Sequence, residues 1–153
     1  MKAIYSCILW CLGCTLLYAQ KYPYSVPLKP WAEGLGNHRV VMEVRESASA
    51  VRLDVEWRRP DMNPDKRLFL IINAETGDTV RNVKKMHVDN ESCSLVCGPL
   101  QSGIYYFYYL PYRVQLGGGA YYGDYLPDNR SADSAWEQSW KGQVLPLAEV
   151  KAI

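Results

Sequence analysis

Gly103-Ile104-Tyr105-Tyr106-Phe107-Tyr108-Tyr109-Leu110-Pro111-Tyr112 is the stretch whose reading decides the fold. Every residue from Ile104 to Leu110 is β-branched, aromatic or leucine, the types that fit a pleated, half-buried surface. At period two, Ile104, Tyr106, Tyr108 and Leu110 share one face, and Tyr105, Phe107 and Tyr109 share the other. Gly103 opens the run, and Pro111, which cannot donate to a ladder, closes it. A strand this apolar on both faces is expected at the centre of a sheet, with cover above and below. Tyrosine in place of leucine points to hydroxyls that reach a polar rim or the next layer.

The same periodicity recurs on either side of this strand. His38–Arg45 reads as a first strand and Val51–Trp57 as a second, with Val51, Leu53, Val55 and Trp57 on one face and Arg52, Asp54, Glu56 and Arg58 on the other. The two are expected to pair as an antiparallel hairpin. Leu68–Ile72 reads as a buried strand, Val80–Val88 as two short strands around Asn82, and Cys93–Cys97 as a short strand ended by Gly98-Pro99. Beyond Tyr112, Gly117-Gly118-Gly119 reads as a flexible loop. Ser134-Ala-Trp-Glu137 has the capping-box form and starts a short helix that Gly142 stops, with Trp136 and Trp140 on one face. Leu145–Ile153 reads as a last strand or exit segment. The expected fold is all-β: an antiparallel β-sandwich of about six to eight strands with one short helix near the C-terminus.

Residues 1–19 read as an export signal: Lys2 is the only charge, an apolar segment runs from Ile4 to Leu17, and Leu17-Tyr18-Ala19 offers a small residue at the cut. The rival is a lipoprotein signal acylated at Cys14. That reading needs a leucine-like residue where Cys11 stands, and cleavage after Ala19 is preferred. The apolar run is short for a membrane span. The 153-residue chain carries a formal net charge of +1, and loss of Lys2 with the signal leaves the mature protein neutral. Neither nucleic acid nor an anionic membrane surface is an expected partner of such a chain. The expected division is a signal peptide at 1–19, an extended segment at 20–30 carrying Pro23, Pro27 and Pro30, and a β-sandwich domain at 31–153, with Trp31 anchoring the extended segment to the core edge.

Cys93 and Cys97 would stand about 13 Å apart on an extended strand, beyond disulfide reach, so they read as buried free thiols. His38, His87 and these cysteines follow no zinc-ligand spacing. Asp61-Met-Asn63-Pro-Asp65 imitates half a calcium loop, but Lys66 and Ile72 stand where glycine and glutamate are needed. No metal, cofactor or catalytic residue is expected. Asp54 and Glu56 lie between Arg52 and Arg58 on a solvated face and read as paired surface charges. Trp57, Arg58, Arg59 and Asp61 form a structural motif, in which the arginines and the aspartate pin the loop around Pro60. The aromatic surplus has two readings. Tyr121, Tyr122, Tyr125, Trp136 and Trp140 fall outside the regular strands, and could stack on sugar rings or cover the sandwich end and dock a neighbouring domain.

Several pieces together resemble the N-terminal domain of proteins related to glycoside hydrolase family 123. They are Trp31 with Leu35-Gly36-Asn37-His38-Arg39, Trp57-Arg58-Arg59-Pro60-Asp61, Asn73-Ala-Glu-Thr-Gly77, the tyrosine strand ending in Leu110-Pro111-Tyr112, and Leu145-Pro-Leu-Ala-Glu-Val150. The resemblance implies a β-sandwich that precedes a (β/α)₈ barrel. It associates that barrel with hydrolysis of N-acetylgalactosaminides through an Asp-Glu pair and the substrate's acetamido group. No such pair stands in this sequence in the equivalent setting, so no catalytic residue carries over. The expectation is a non-catalytic accessory domain, truncated or separately encoded, whose partner is a glycosidase barrel in cis or in trans. The other reading is a stand-alone carbohydrate-binding or surface-adhesion module.

Overall fold

Alternation along the chain becomes strands, and the strands become two facing layers. The computed structural model describes residues 22–27, 30–117 and 120–153, with backbone only at 114–123; the expected signal peptide, Cys14 and Gly118-Gly119 lie outside the described residues. The strands are β1 (Arg39–Val44), β2 (Val51–Glu56), β3 (Leu70–Asn73), β4 (Asn82–Val88), β5 (Ser92–Gly98), β6 (Gly103–Tyr108), β7 (Tyr112–Gly117), β8 (Ala120–Tyr125) and β9 (Glu149–Ala152). Among the described residues one α-helix, α1 (Ser134–Trp140), lies between β8 and β9. One sheet has the order β3-β6-β1-β9, a second has β2-β5-β4, and β7 and β8 form a hairpin. All the paired strands are antiparallel. The all-β, sandwich-like reading therefore holds.

The tyrosine strand β6 lies inside its sheet, between β3 and β1. Its Tyr105 and Phe107, followed by Tyr109, enter the core, where Phe107 meets Phe69 at 4.9 Å and Tyr109 meets Trp57 at 4.8 Å between ring centroids. On the opposite face Arg39 stands 3.9 Å over the Tyr106 ring, and Trp31 meets Tyr108 edge-on at 5.7 Å. Leu110 departs from the alternation. The strand ends at Tyr108, the chain turns before Pro111, and Leu110 swings into the core.

Two expectations about pairing are corrected. β1 and β2 do not form a hairpin: β1 pairs with β6 and β9, whereas β2 pairs with β5. Val40, Met42 and Val44 of β1 and Val51, Leu53 and Val55 of β2 are all buried in one cluster. Two such faces bury each other best from opposite layers, so the connection at 45–50 crosses between sheets, held by the Ala48↔Leu100 bridge. The region expected as two strands around Asn82 is the single strand β4, with a register shift between Lys85 and His87.

Two segments close the sides of the sandwich. Residues 126–133 run past β3 and β4: Leu68 donates its N–H to the Leu126 carbonyl, Asp128 donates to Lys66, and the Asp128 carboxylate pairs with Lys85 at 2.6 Å. On the other side Arg52 donates to Pro146 and accepts from Ala148, after which the same segment joins β1 as β9. The N-terminal segment then lies along the end of β9, with Ile153 donating to Pro23 and accepting from Ser25.

The motif at Trp57–Asp61 closes one end. Arg59 donates from Nε to Asp61 Oδ1 at 2.8 Å and from Nη2 to Oδ2 at 2.7 Å, a bidentate pair whose side chains are 0% and 3% exposed. The guanidinium lies 4.9 Å from the Trp57 ring and 5.5 Å from that of Tyr109. Asn90, in the β4–β5 turn, donates its amide to the carbonyls of Arg59 and Asp61 at 2.7 and 2.9 Å. Arg58 is exposed and takes no part in this pair. Both Asp61 oxygens are engaged by Arg59, which removes that carboxylate from any calcium loop.

Loss of one partner would strand a buried charge. Asp61→Ala and Arg59→Ala should each lower unfolding free energy in urea by about 3–5 kcal/mol, with the double variant losing clearly less than the sum. Additive effects near zero would refute the pairing as a stability element. Cys93 and Cys97 are free and buried, and burial pushes both thiols up to about 12. Both are protonated at pH 8 and shielded, so peptide mapping after iodoacetamide should find them unmodified in the native protein and alkylated after denaturation.

Candidate functional site

Helix α1 places both tryptophans that the sequence singles out. Its N-cap is Asp133, whose carboxylate accepts from the Trp136 N–H at 2.9 Å. The capping-box reading put Ser134 there; the correction is one residue, because the aspartate carboxylate takes the orphan N–H. Glu137, freed from the cap, bonds Lys84 of β4 at 2.9 Å. Asp133 N–H donates to the Asn82 side chain, and the Trp136 indole donates to the Ser49 carbonyl at 2.8 Å.

These anchors lay α1 across the outer face of the β2-β5-β4 sheet. Val96 of β5 points away from the core, opposite to Leu95 and Cys97, yet is only 2% exposed. Its cross-strand neighbours are Arg52 and Lys84, and Lys84 holds α1. Glu137 thus ties the helix to the sheet face that carries Val96. Trp136 and Trp140 pack edge to face at 5.5 Å and are half-buried. The Trp140 indole N–H is buried without a hydrogen-bond partner among the described residues. Val144 and Leu147 stand exposed in the chain that follows.

The tyrosines go elsewhere. Tyr121, Tyr122 and Tyr125 belong to β8, which corrects their placement outside regular strands, and β7 opposite them was not anticipated. The side chains of Tyr121 and Tyr122 lie outside the described residues. Tyr125 pairs with Tyr112, packs against the core, and accepts at its carbonyl from Arg67 at 3.3 Å. Tyr112 follows the C-terminal end of β6, whereas Trp136 bonds Ser49, beside the start of β2 and near the N-terminal end of β6. Tyr125 and the tryptophan pair thus lie toward opposite ends of the sandwich. They do not form one platform.

A third aromatic group was legible only in part. Trp31 was read as an anchor, and it is one: its indole N–H donates to the Gly36 carbonyl and its ring meets Tyr108. Arg39 completes the group, 4.6 Å from the Trp31 ring and 3.9 Å from that of Tyr106. Trp31 and Arg39 stand eight positions apart in sequence, and no local pattern ties a loop tryptophan to an arginine on a strand. The loop itself is fixed. Gly34 and Gly36 have φ of +88° and +85°, and a Cβ at Gly36 would stand 2.3 Å from the Leu110 carbonyl oxygen.

Several of the remaining polar groups are engaged in structural contacts. Arg52 bonds Asp54 at 3.0 Å on the surface, and His87 meets Asp89 at 2.8 Å. Asp89 also accepts from the N–H groups of Glu91 and Ser92, and these bonds hold its carboxyl down at about 2. Burial raises the Tyr109 hydroxyl to about 12. Among the described residues no group of three or more His, Cys, Asp or Glu side chains is placed to hold a metal. No helix among them is long and apolar enough to cross a membrane.

The cap geometry makes a distinction that can be measured. Asp133→Ala should lower stability by about 1 kcal/mol, and Ser134→Ala by a few tenths at most. The half-burial of both indoles predicts that iodide will quench Trp136 and Trp140 weakly in the native protein and strongly after unfolding, read in variants that retain one tryptophan of the pair at a time. Equal losses at Asp133 and Ser134 would contradict the cap.

No curated protein and no solved structure matches this chain. A family model does: that of the glycoside hydrolase 123 N-terminal domain, over residues 29–153. The match takes in both sheets, the β7–β8 hairpin, α1 and the Trp31 loop. What it describes is the N-terminal domain of those hydrolases, not their catalytic domain. The two-layer sandwich joined by the buried Trp57–Asp61 motif thus has its family: the chain belongs to the glycoside hydrolase 123 N-terminal domain family.

Proposed function

We propose that this chain is a non-catalytic accessory β-sandwich of a glycosidase-like protein, and that it supports or docks a carbohydrate-active catalytic domain in cis or in trans. The family match across residues 29–153 carries the reading. The chemistry of the described side chains agrees with it. The thiols are buried and protonated, the Asp61 carboxylate is held by Arg59, and Asp54 answers Arg52. The aromatic residues Trp136 and Trp140 are only half-buried, which suits a surface that another domain covers.

The protein works outside the cytoplasm in this reading, because Lys2, the apolar Ile4–Leu17 segment and Ala19 have the order of an export signal. N-terminal sequencing of the exported protein should begin at Gln20; a mature N-terminus at an acylated Cys14 would replace secretion with lipid anchoring.

The accessory role is tested by mixing the chain with a barrel domain of this hydrolase family. Saturating the barrel at about 100 times Kd adds about 2.7 kcal/mol, so its melting temperature should rise by about 5 °C. The chain alone should release no aryl alcohol from an aryl N-acetylgalactosaminide. Turnover by the chain alone, or a barrel indifferent to its presence whether tethered or free, would reject the proposal.

A further inference from the structure

We infer that the cavity of about 440 Å³ beside Trp31 is a subsite for one pyranose ring of a glycan. Trp31, Tyr112, Pro27, Pro30, Glu33 and Asn37 are among its walls. The choice of a sugar as ligand rests on the glycosidase association proposed above; the site itself rests on the geometry.

Three properties set this cavity apart from a packing crevice. Its aromatic wall is held in place before any ligand arrives. The Trp31 indole N–H is committed to the Gly36 carbonyl, Arg39 occupies one side of the ring at 4.6 Å, and Tyr108 meets it edge-on. What the ring offers the cavity is therefore the surface left free by Arg39. Stacking on a ring that is already immobilised loses little side-chain entropy.

The loop under the ring is equally constrained. The Gly34 carbonyl accepts from the Tyr112 N–H at 2.9 Å, and Leu35 donates to Ala32 at 3.3 Å. Close approach of Gly36 to the Leu110 carbonyl leaves no room for a larger residue there. The cavity wall is thus tied to the corner between β6 and β7.

The third property is chemical. Glu33, Asn37 and Tyr112 form no side-chain hydrogen bond or ion pair with other described residues. They set a carboxylate acceptor, a carboxamide and a phenol around an aromatic wall, with Pro27 and Pro30 as apolar shoulders. A pyranose has the matching character: C–H groups on one face for the indole, and hydroxyls around the rim for the polar side chains. A size of about 440 Å³ leaves room for a sugar ring. A purely apolar ligand would leave those polar groups without use.

The test titrates the full chain with chitotriose, N-acetylgalactosamine and lactose by calorimetry and by the shift of the Trp31 indole N–H signal. At least one sugar should bind saturably with Kd of about 1 mM or tighter. Trp31→Ala should abolish that binding. Because Trp31 also braces Tyr108, the decisive variants are Glu33→Gln and Asn37→Ala, which break no internal contact; each should weaken binding at least about threefold while the melting temperature holds. No saturation with any of the three sugars at about 20 mM overturns the inference. So does binding that survives both variants unchanged but is lost on Trp136→Ala, which would move the sugar to α1. Stabilisation of the barrel domain is read separately. A chain that stabilises the barrel and binds no sugar refutes this subsite alone, whereas one that does neither also refutes the accessory role.

Discussion

A guanidinium enclosed by Trp57, Phe69 and Tyr109 is tolerable only if its charge is answered within the protein, and among the described residues the answer comes from Asp61. Taking two charges out of water costs several kcal/mol per ion, which the bidentate geometry and the ring faces must offset. One guanidinium nitrogen, Nη1, remains buried with no hydrogen-bond partner among the described residues. The aromatic faces around it are its nearest compensation. Such a pair adds little net stability by its presence, yet its rupture is severe. It acts as a clamp whose geometry admits few alternatives.

That clamp joins parts of the chain that are far apart in sequence. Arg59 and Asp61 follow β2, Phe69 leads into β3, Asn90 turns β4 into β5, and Tyr109 follows β6. Both sheets are thereby tied at one end. Their mutual orientation lets Phe107 and Phe69 meet edge to face while Trp57 closes over them. The sides are held differently, by backbone bonds from residues 126–133 and 146–152, which switch between layers. With ends and sides secured, the surface loops can be held rigidly. The Trp31 loop is the clearest instance, since its glycines lie against the end of β6.

Aromatic residues have three physical roles in this domain. In the core, Trp57, Phe69, Phe107 and Tyr109 pack together and exclude water. On α1, Trp136 and Trp140 pack against each other and remain partly open to solvent. At the Trp31 loop, an indole and Tyr106 hold a cation between them and leave a shaped cavity alongside. The first role follows from burial alone. The other two depend on which aromatic surface is left free after packing, and that is where recognition can occur.

The strand character of Ile104–Tyr108, the in-out alternation of Val51–Trp57, the helix at Trp136 and the buried thiols were legible in the sequence, because each depends on periods of two or 3.6 residues within a few positions. The Arg59–Asp61 pair beside Trp57 was legible too, since opposite charges two residues apart around a proline have few arrangements, but Arg58, read into the same motif, stands exposed. Partner choice was not. β1 and β2 are adjacent in sequence and each alternates well, but alternation does not say whether two apolar faces lie side by side or face each other; the core decided for the latter. The β7–β8 hairpin escaped notice because glycines and tyrosines beyond Tyr112 obscure the alternation. The aromatic platform read from Tyr121 to Trp140 was divided by topology, as the 126–133 segment carries the chain along one side of the sandwich between Tyr125 and the tryptophans. The Trp31–Arg39–Tyr106 stack exists only in three dimensions, where a loop, the first strand and the sixth meet. Sequence periodicity reports which way a side chain points, and only tertiary packing decides what it meets there.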